Sequence, residues 1–309
     1  MVASSNSSSH PLFFILLGIP GLENYQFWIA FPFCVMYIVA LTGNITILYI
    51  IQTDHTLHEP MYLFLALLGI TDLVLSSSTQ PKMLAILWFH DHEIEYNACL
   101  IQVFFIHAFS SVESGVLMAM ALDRYVAICF PLRHSSILTT SVVIKLGAAV
   151  MVRGLLWVSP FCFMISRMPF CPNNALSHSY CYHPDVIKLA CSDTWANSIC
   201  GLVDLILTTG VDTPCIVLSY VLIIRSVFTI ASSEGRHKAF STCVSHIGAV
   251  AVFYIPMFSL SLVHRYGRSA PKVVHAMMAN VYLLLPPVLN PIIYSVKTKQ
   301  IRKSVLSLL

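Results

Sequence analysis

The chain has 309 residues, of which 57% are hydrophobic and only 10% are charged, and its formal net charge is +3. Soluble globular proteins carry roughly 25% charged residues, so this composition indicates a protein whose surface faces lipid. A net charge this small does not favour nucleic acid as a partner. The first ten residues, MVASSNSSSH, lack the basic segment and apolar core of a cleavable signal peptide, so we expect targeting to depend on the first spanning helix.

Seven apolar runs, separated by polar segments, are each long enough to cross a bilayer, which requires about 20 residues of α-helix. They lie near 27–51, 60–87, 98–128, 141–165, 198–228, 239–263 and 273–295. The sequence therefore predicts an all-α membrane protein, a single domain built as a seven-transmembrane-helix bundle. No internal repeat is visible, so the inverted halves of many transporters are not indicated.

Basic residues at the two ends of the chain predict its orientation, because Lys and Arg favour the cytoplasmic side. Residues 1–26 contain no Lys or Arg, whereas four basic residues follow the last run: Lys297, Lys299, Arg302 and Lys303. The tail 1–26 is therefore expected outside the cell. Asn6 begins a glycosylation sequon in this tail, although such a motif often occurs by chance.

The residues after the last span have the pattern of a surface helix. In 297–309, Ile301, Val305 and Leu308 recur at helical spacing against a basic face. This arrangement predicts a short amphipathic helix on the inner membrane surface, with lipid as its partner.

Four of the ten cysteines are expected on the outer side: Cys99, Cys171, Cys181 and Cys191. Cysteines in an oxidising compartment usually pair, and four of them allow three connectivities. The other six lie in or at the ends of the spans and are interpreted as small apolar residues.

Asp123 and Arg124 stand side by side at the inner end of the third span, in the string MALDRYVAICFPLRH that ends at His134. Placing either charge in the membrane costs several kcal/mol. One interpretation is an ordinary helix end whose charges reach water, and the other is a functional pair.

Several strings together carry a family resemblance. MALDRYVAICFPLRH, LHEPMYLFLALLGITDL at 57–73, KAFSTCVSH at 238–246 and PPVLNPIIYSVKTKQIR at 286–302 resemble the signatures of odorant receptors, a group of rhodopsin-like G-protein-coupled receptors. GIPGLENYQFWIAFPF and HSYCYHPDVIKLAC resemble the class I, or fish-like, branch, close to family 52. Asp212 and the FYIP string at 253–256 depart from rhodopsin-like receptors in general but are typical of odorant receptors.

The resemblance implies a plasma-membrane odorant receptor that activates a stimulatory olfactory-type G protein and raises cyclic AMP. It selects the disulfides Cys99–Cys181 and Cys171–Cys191. It also implies a set of residues for coupling and switching: Asp123, Arg124, Tyr125, Tyr220, Asn290, Pro291 and Tyr294. We do not expect an enzyme, because neither a nucleophile–base pair nor a metal-ligand spacing is present.

Two acidic residues are expected at similar depth in adjacent helices. Asp72 lies roughly 18 Å above the inner start of the second span, and Glu113 roughly 16 Å above Arg124. Both cannot stay ionised without compensation, so they share a proton or hold a cation. The resemblance favours sodium, helped by Ser110 and Asn290, and no other cofactor is expected. The alternative is a neutral carboxylic acid, hydrogen-bonded in the core.

Arg265, at the outer end of the sixth span, is a candidate ligand-binding residue, because a guanidinium matches a carboxylate with two hydrogen bonds. Ser261 lies one turn below it, and His107 about 25 Å above Arg124. Class I receptors are associated with carboxylic acids, which makes a fatty acid the expected odorant. The apolar lining is expected from Phe109, Val203, Leu207, Phe258 and Leu262. The alternative is that Arg265 is a loop charge in water.

A second class of function is an ion-coupled transporter or channel. It would use four carboxylates of the spans as a relay: Asp72, Glu113, Asp204 and Asp212. This alternative predicts ion flux across the membrane and no requirement for Arg124.

Overall fold

The computed structural model describes residues 10–308 except 58, 231 and 267–269. Within this part, the side chains at 55, 238, 242, 264–266, 297, 299, 307 and 308 are not described. The sequon at Asn6 therefore lies outside the described residues, and Arg265 is described only as part of a helix.

In the described part of the chain, seven long helices form the bundle, and each is long and apolar enough to cross a membrane. They are α1 (Gln26–Thr53), α2 (Pro60–Phe89), α3 (Tyr96–Cys129), α5 (Thr140–Ile165), α7 (Trp195–Thr229), α8 (Ser233–Tyr266) and α9 (Lys272–Lys297). Three shorter helices are α4 (His134–Ile137), α6 (His183–Lys188) and α10 (Lys299–Leu308). The long helices extend past the predicted apolar runs because a helix can continue with polar residues where it leaves the lipid.

Helix α3 is the central helix of the bundle. The most apolar stretch of α3 is 72% buried, against 28% for those of α1, α5 and α7. It packs against α2, α5, α7 and α8, so a side chain on almost any of its faces meets another helix. The peripheral helices instead present large apolar side chains outward, as expected for surfaces that lie against lipid.

A small sheet covers one end of the bundle, which we call the disulfide end. Strand β1 (Phe13–Leu16) pairs antiparallel with β2 (Glu93–Glu95) and parallel with β3 (Ala175–Leu176). Phe14 and Leu16 are fully buried in the core beneath it. The all-α prediction omits this sheet, because a four-residue apolar run such as FFIL does not by itself distinguish strand from coil.

Two disulfides fix the segment between α5 and α7 over this end. Cys99 and Cys181 are bonded with Cα atoms 5.5 Å apart, and Cys171 and Cys191 with Cα atoms 5.1 Å apart. These are the two pairs that the family resemblance implies. Gln102 also accepts a hydrogen bond from the Cys181 backbone N–H at 2.8 Å, so the loop is held on α3 by covalent and polar contacts together.

The opposite end, which we call the Arg124 end, carries α10. This helix lies where the amphipathic pattern predicts one. Ile301, expected against lipid, is instead fully buried in the bundle core. The Ser304 hydroxyl donates to Asp54 at 3.0 Å, and the Gln300 amide donates to Thr56 at 2.9 Å. The apolar face of α10 is therefore used partly to dock the helix on α1 and α9.

Candidate ligand cavity and coupling site

A cavity of about 300 Å³ lies below the loop at the disulfide end. This volume is at the small end of the range typical of small-molecule sites, roughly 300–1,000 Å³. Its walls come from α3, α7, α8, α9 and the disulfide-fixed loop, and include Ile106, His107, Ser110, Tyr180, His183, Gly201, Asp204, Leu205, Thr208, Phe253, Met257, Leu260, Ser261 and Tyr282. The mixture of a mostly apolar wall and a few polar groups suits a small amphiphilic molecule.

On α7, one face lines the cavity. Gly201, Asp204, Leu205 and Thr208 follow the i, i+3, i+4, i+7 spacing of a single helix face. Gly201 is placed against the His183 ring, where an added Cβ would lie 2.7 Å from Cε1. The close approach of the loop to this helix therefore requires glycine.

Most of the predicted apolar lining lies elsewhere. Val203 and Leu207 are exposed on the outward face of α7, and Phe258 and Leu262 are exposed on α8. Phe109 is buried but packs beside Phe105 and does not line the cavity. The rotation of each helix about its axis is set by the helices that it packs against. The prediction placed these residues on the cavity side of their helices, whereas they lie on other faces.

His107 and Ser261, in contrast, both line the cavity. The His107 ring lies 5.4 Å from the ring of Phe161 and 5.8 Å from that of His183. Its buried Nε2 has no hydrogen-bond partner within the described part of the chain. Buried polar atoms are rarely unpaired, so this nitrogen requires a partner from outside the described residues, such as water or a ligand.

His183 is held by the protein itself. Its Nε2 lies 2.6 Å from Oδ1 of Asn197, whose amide nitrogen donates to the Phe161 carbonyl at 3.3 Å. Burial lowers the pKa of His183 and the hydrogen bond to Asn197 opposes this only in part. The ring is therefore neutral at physiological pH, with Nε2–H donating to Asn197, and it forms a fixed wall of the cavity.

Below the cavity, Arg153 of α5 forms an ion pair with Asp212 of α7. Nη1 and Nη2 of the guanidinium each lie 2.7 Å from a carboxylate oxygen. The Ser114 hydroxyl donates to Asp212 at 2.7 Å and lies 2.7 Å from the Tyr254 hydroxyl. Four helices, α3, α5, α7 and α8, thus meet in one polar network. Gly115 makes room for it, since an added Cβ would lie 2.7 Å from Nη2 of Arg153.

A second cavity, of about 770 Å³, opens at the Arg124 end. Arg124, Asp123 and Tyr294 all line it. Oδ1 of Asp123 is hydrogen-bonded to Nε2 of His134 at 3.0 Å, whereas Oδ2 of Asp123 lies 3.7 Å from Nη2 of Arg124. The carboxylate is therefore held more closely by His134 than by the neighbouring arginine.

Tyr220 approaches this cavity through His246. The Tyr220 hydroxyl lies 2.6 Å from Nδ1 of His246, and Nε2 of the same ring lies 2.9 Å from the Leu117 carbonyl. The carbonyl can only accept, so Nε2–H donates to it and Nδ1 accepts from the tyrosine. Tyr125 lies apart, with its ring 5.7 Å from that of Phe130.

The same architecture occurs in a solved structure. The crystal structure of squid rhodopsin superposes with a TM-score of 0.76 at 17% sequence identity, covering 92% of this chain and 85% of that chain. At this identity the similarity establishes the fold alone.

Sequence comparison identifies the family. The profile described as "Olfactory receptor" matches residues 33–309. Human olfactory receptor 52R1 is 67% identical over 301 residues, covering 97% of this chain and 96% of the relative. Human olfactory receptor 51F1 is 63% identical over 305 residues, covering 99% of this chain and 96% of the relative. The chain belongs to the olfactory receptor family.

As an olfactory receptor, the chain is a multi-pass membrane protein of the G-protein-coupled class and not an enzyme. Its partners are a small odorant and a heterotrimeric G protein.

The predicted acidic pair of this olfactory receptor is also buried. The Asn290 amide donates to both carboxylate oxygens of Asp72, at 3.3 and 3.1 Å. Oε1 of Glu113 and Oδ1 of Asn290 have no hydrogen-bond partner among the described residues. Such oxygens fit a small hard cation.

Pro291, the residue after Asn290 on α9, lies against α1. A Cβ added to Gly43 of α1 would lie 2.9 Å from the ring of Pro291.

Arg153 is the main site residue that the sequence patterns do not predict. It stands within the apolar run GAAVMVRGLLWV of the fourth span. A charged residue in a span usually faces the bundle interior and pairs with an opposite charge or with backbone carbonyls, which is the indication that could have linked Arg153 to Asp212. This ion pair also bears on the transporter alternative, which uses Asp212 as one of four carboxylates in an ion relay. Both oxygens of Asp212 are already hydrogen-bonded, so Asp212 is not free to bind an ion.

Proposed function

We propose that this olfactory receptor is activated by small aliphatic carboxylic acids and signals through a stimulatory olfactory-type G protein, raising cyclic AMP. The proposal places the N-terminus and the disulfide end outside the cell. The absence of Lys and Arg from residues 1–26, with basic residues clustered after α9, supports this orientation.

The observation that carries the ligand proposal is the unpaired His107 Nε2 in a cavity that Ser261 also lines. A carboxylate that enters an apolar cavity loses water and requires hydrogen-bond donors in return. Arg265 follows Ser261 by one helical turn on α8, about 6 Å farther toward the disulfide end. The proposed arrangement has the acid group between Arg265, Ser261 and His107, with the aliphatic chain along the apolar wall.

The coupling proposal rests on the Arg124 end. Arg124 lines an open cavity beside Asp123, which is itself held by His134. In the proposed mechanism, ligand binding shifts a two-state equilibrium in which α8 moves, and the G protein binds where Arg124 becomes free. The network of Arg153, Asp212, Ser114 and Tyr254 connects the ligand cavity with that movement, because it joins α8 to three other helices.

We also propose that Asp72 and Glu113 hold a sodium ion together with Ser110 and Asn290. The unpaired oxygens of Glu113 and Asn290 support this assignment. Sodium should then stabilise the inactive state and shift odorant potency to higher concentration, whereas replacing sodium with the larger cation choline should remove the shift. Equal potency in both salts would exclude a functional sodium site.

A cyclic AMP assay in transfected cells tests the main proposal. Wild-type receptor and the Arg124→Ala variant are exposed to aliphatic acids, alcohols and aldehydes of equal chain length. We expect acids to act at the lowest concentration on the wild type and no ligand to act on the variant. A response to aldehydes or alcohols without one to acids would overturn the ligand class, and ion flux without cyclic AMP would overturn the receptor mechanism.

A further inference from the structure

Asp204 is a cavity residue with an unsatisfied carboxylate. It lies on the same face of α7 as Gly201 and Thr208 and contributes to the cavity wall. Its Oδ1 is buried, and no described residue forms a hydrogen bond with that atom. The side chain forms no ion pair with the described residues either.

The contrast with Asp212 shows what Asp204 lacks. Asp212 lies two turns farther along the same helix and receives two guanidinium hydrogen bonds and one from Ser114. The Arg153 guanidinium interacts electrostatically with Asp204, but both of its terminal nitrogens are already hydrogen-bonded, to Asp212 and to the Ser111 carbonyl. The remaining neighbours of Asp204 that interact with it electrostatically are neutral: Cys162, Cys200 and Tyr282.

A carboxylate in this position needs a donor. Water in the empty cavity can solvate Oδ1, but an odorant displaces that water. A ligand with only an apolar chain would leave the carboxylate buried and unpaired, which is costly. A ligand that brings a hydroxyl or ammonium group would replace the lost hydrogen bond, and Asp204 would then discriminate between the two kinds of molecule.

We propose that Asp204 binds a hydrogen-bond donor of the odorant, so that the preferred ligands are short aliphatic acids with a hydroxyl or ammonium group at the end remote from the carboxylate. This inference rests on the proposed function for the position of the acid group. His107 and Asp204 line the same cavity of about 300 Å³, so a molecule of a few carbons can be in contact with both.

The test compares three ligands of equal length: hexanoate, 6-hydroxyhexanoate and 6-aminohexanoate. Cyclic AMP responses are measured for wild type, Asp204→Ala, Asp204→Asn and the control Asp193→Asn, which alters an exposed carboxylate outside the cavity. Surface staining normalises each response to receptor number. Wild type and Asp193→Asn should prefer at least one donor-bearing acid over hexanoate by about 10-fold or more, equal to about 1.4 kcal/mol.

Asp204→Ala should lose that preference and respond to hexanoate at least as well as wild type does. Asp204→Asn keeps a carbonyl acceptor at the same place, so it should retain a hydroxyl preference and lose an ammonium preference. It also serves as the second variant where Asp204→Ala fails to reach the surface. Equal potency of the three acids on wild type, or a preference that survives in Asp204→Ala, would overturn the inference.

A failure of the acid proposal gives a different pattern. If none of the acids acts at all, 1-hexanol, hexylamine and the donor-free ether 1-methoxypentane replace them in the same assay. A preference for the alcohol or amine that depends on Asp204 would then support the inference without the acid assignment. If the ether is as potent as the alcohol and the amine on wild type, the inference about Asp204 is rejected together with the acid proposal.

Discussion

Arg153 and Asp212 form a bidentate ion pair in the middle of the bundle, with both N–O distances at 2.7 Å and the Asp212 side chain fully buried. The pair connects α5 to α7, and Ser114 and Tyr254 extend it to α3 and α8. A fork of this kind fixes the relative rotation of two helices, because both bonds form only when the two planar groups align. It therefore fixes α5 and α7 against each other below the cavity at the disulfide end.

Breaking this pair should destabilise the receptor strongly. Removing one partner of a buried ion pair costs about 3–5 kcal/mol, because the other charge remains without compensation, whereas an apolar replacement of both is often nearly neutral. We expect Arg153→Met and Asp212→Leu each to lower surface expression and the unfolding temperature in detergent, and the double variant to recover part of both.

A surface pair provides the control for that experiment. Lys82 and Asp91 are also 2.7 Å apart, but Asp91 is 56% exposed, and exposed pairs contribute about 0–1 kcal/mol. Lys82→Met should therefore behave like wild type. An Arg153→Met receptor as stable as Lys82→Met would show that the buried pair is not needed for the fold.

Arg124 should be required for coupling and not for folding. We expect the fold near it not to depend on the guanidinium, because the hydrogen bond between Asp123 and His134 does not involve Arg124. Arg124→Ala should reach the cell surface at close to the wild-type level and give no cyclic AMP response at any odorant concentration. Full signalling by this variant would refute the switch role, and loss from the surface would assign the arginine to folding.

The Cys99–Cys181 disulfide should contribute to receptor stability. Its loss removes the covalent link between α3 and the loop that covers the cavity, and removing a native disulfide typically costs about 2–5 kcal/mol. Cys99→Ser, Cys181→Ser and the double variant should all lose surface expression to a similar degree. Cys34→Ser, which alters a free cysteine, should be unaffected. Mass spectrometry that finds Cys99 paired with another cysteine would contradict the assignment.

Asp185 should give the loop a stability that depends on pH. Burial alone would raise its pKa, but the hydrogen bond and charge of His178, with Lys188 beside it, lower the pKa below its usual range. A carboxylate with a depressed pKa stabilises the folded state above its unfolded pKa, about 3.9, and loses that contribution as pH falls through the folded value. The contribution is therefore fully present at neutral pH.

The matched variant for that effect is Asp185→Asn, which keeps the size of the side chain. Its unfolding temperature in detergent should be lower than that of wild type from pH 5 to pH 7. The difference should shrink as the pH is taken below about 4, where the Asp185 carboxyl of the unfolded wild-type chain begins to take up protons while that of the folded chain stays ionised. A difference between the two receptors that stays constant with pH would mean that Asp185 acts through its shape and not its charge.

The parts of this molecule that the sequence predicts are those that lipid or local chemistry constrains. The seven spans are recognisable because a bilayer admits only helices with long apolar stretches, and Arg124 is recognisable from the string around it. Val203 and Leu207 were assigned to the cavity although Asp204 and Thr208 line it. The difference between these faces is a rotation of α7, which only contacts with α3 and α5 decide.

The sequence also does not predict which residues of different helices pair across the bundle. The sequence places Arg153 and Asp212 59 residues apart in different spans, and no local pattern indicates that they meet. The strand β1 was missed for a related reason, because its partners β2 and β3 are distant along the chain. Most of the features that the sequence did not predict are therefore contacts between segments that are distant along the chain.

The last prediction concerns Arg265 and the ligand carboxylate. A charged hydrogen bond contributes about 1.5–3 kcal/mol, equal to roughly 10- to 150-fold in potency. Arg265→Ala should therefore weaken the response to aliphatic acids by at least 10-fold, and Arg265→Lys should restore only part of it, because an ammonium cannot form the bidentate fork. Arg268→Ala, which removes the arginine three residues farther along the sequence, should change acid potency by less than about 3-fold, because the proposal gives Arg268 no contact with the acid; charges that form no close pair contribute little. Concentration–response curves for cyclic AMP, normalised to surface expression, measure all three. An Arg265→Ala receptor that responds to acids undiminished would leave the fold and the coupling intact but reject the arginine as the partner of the acid group.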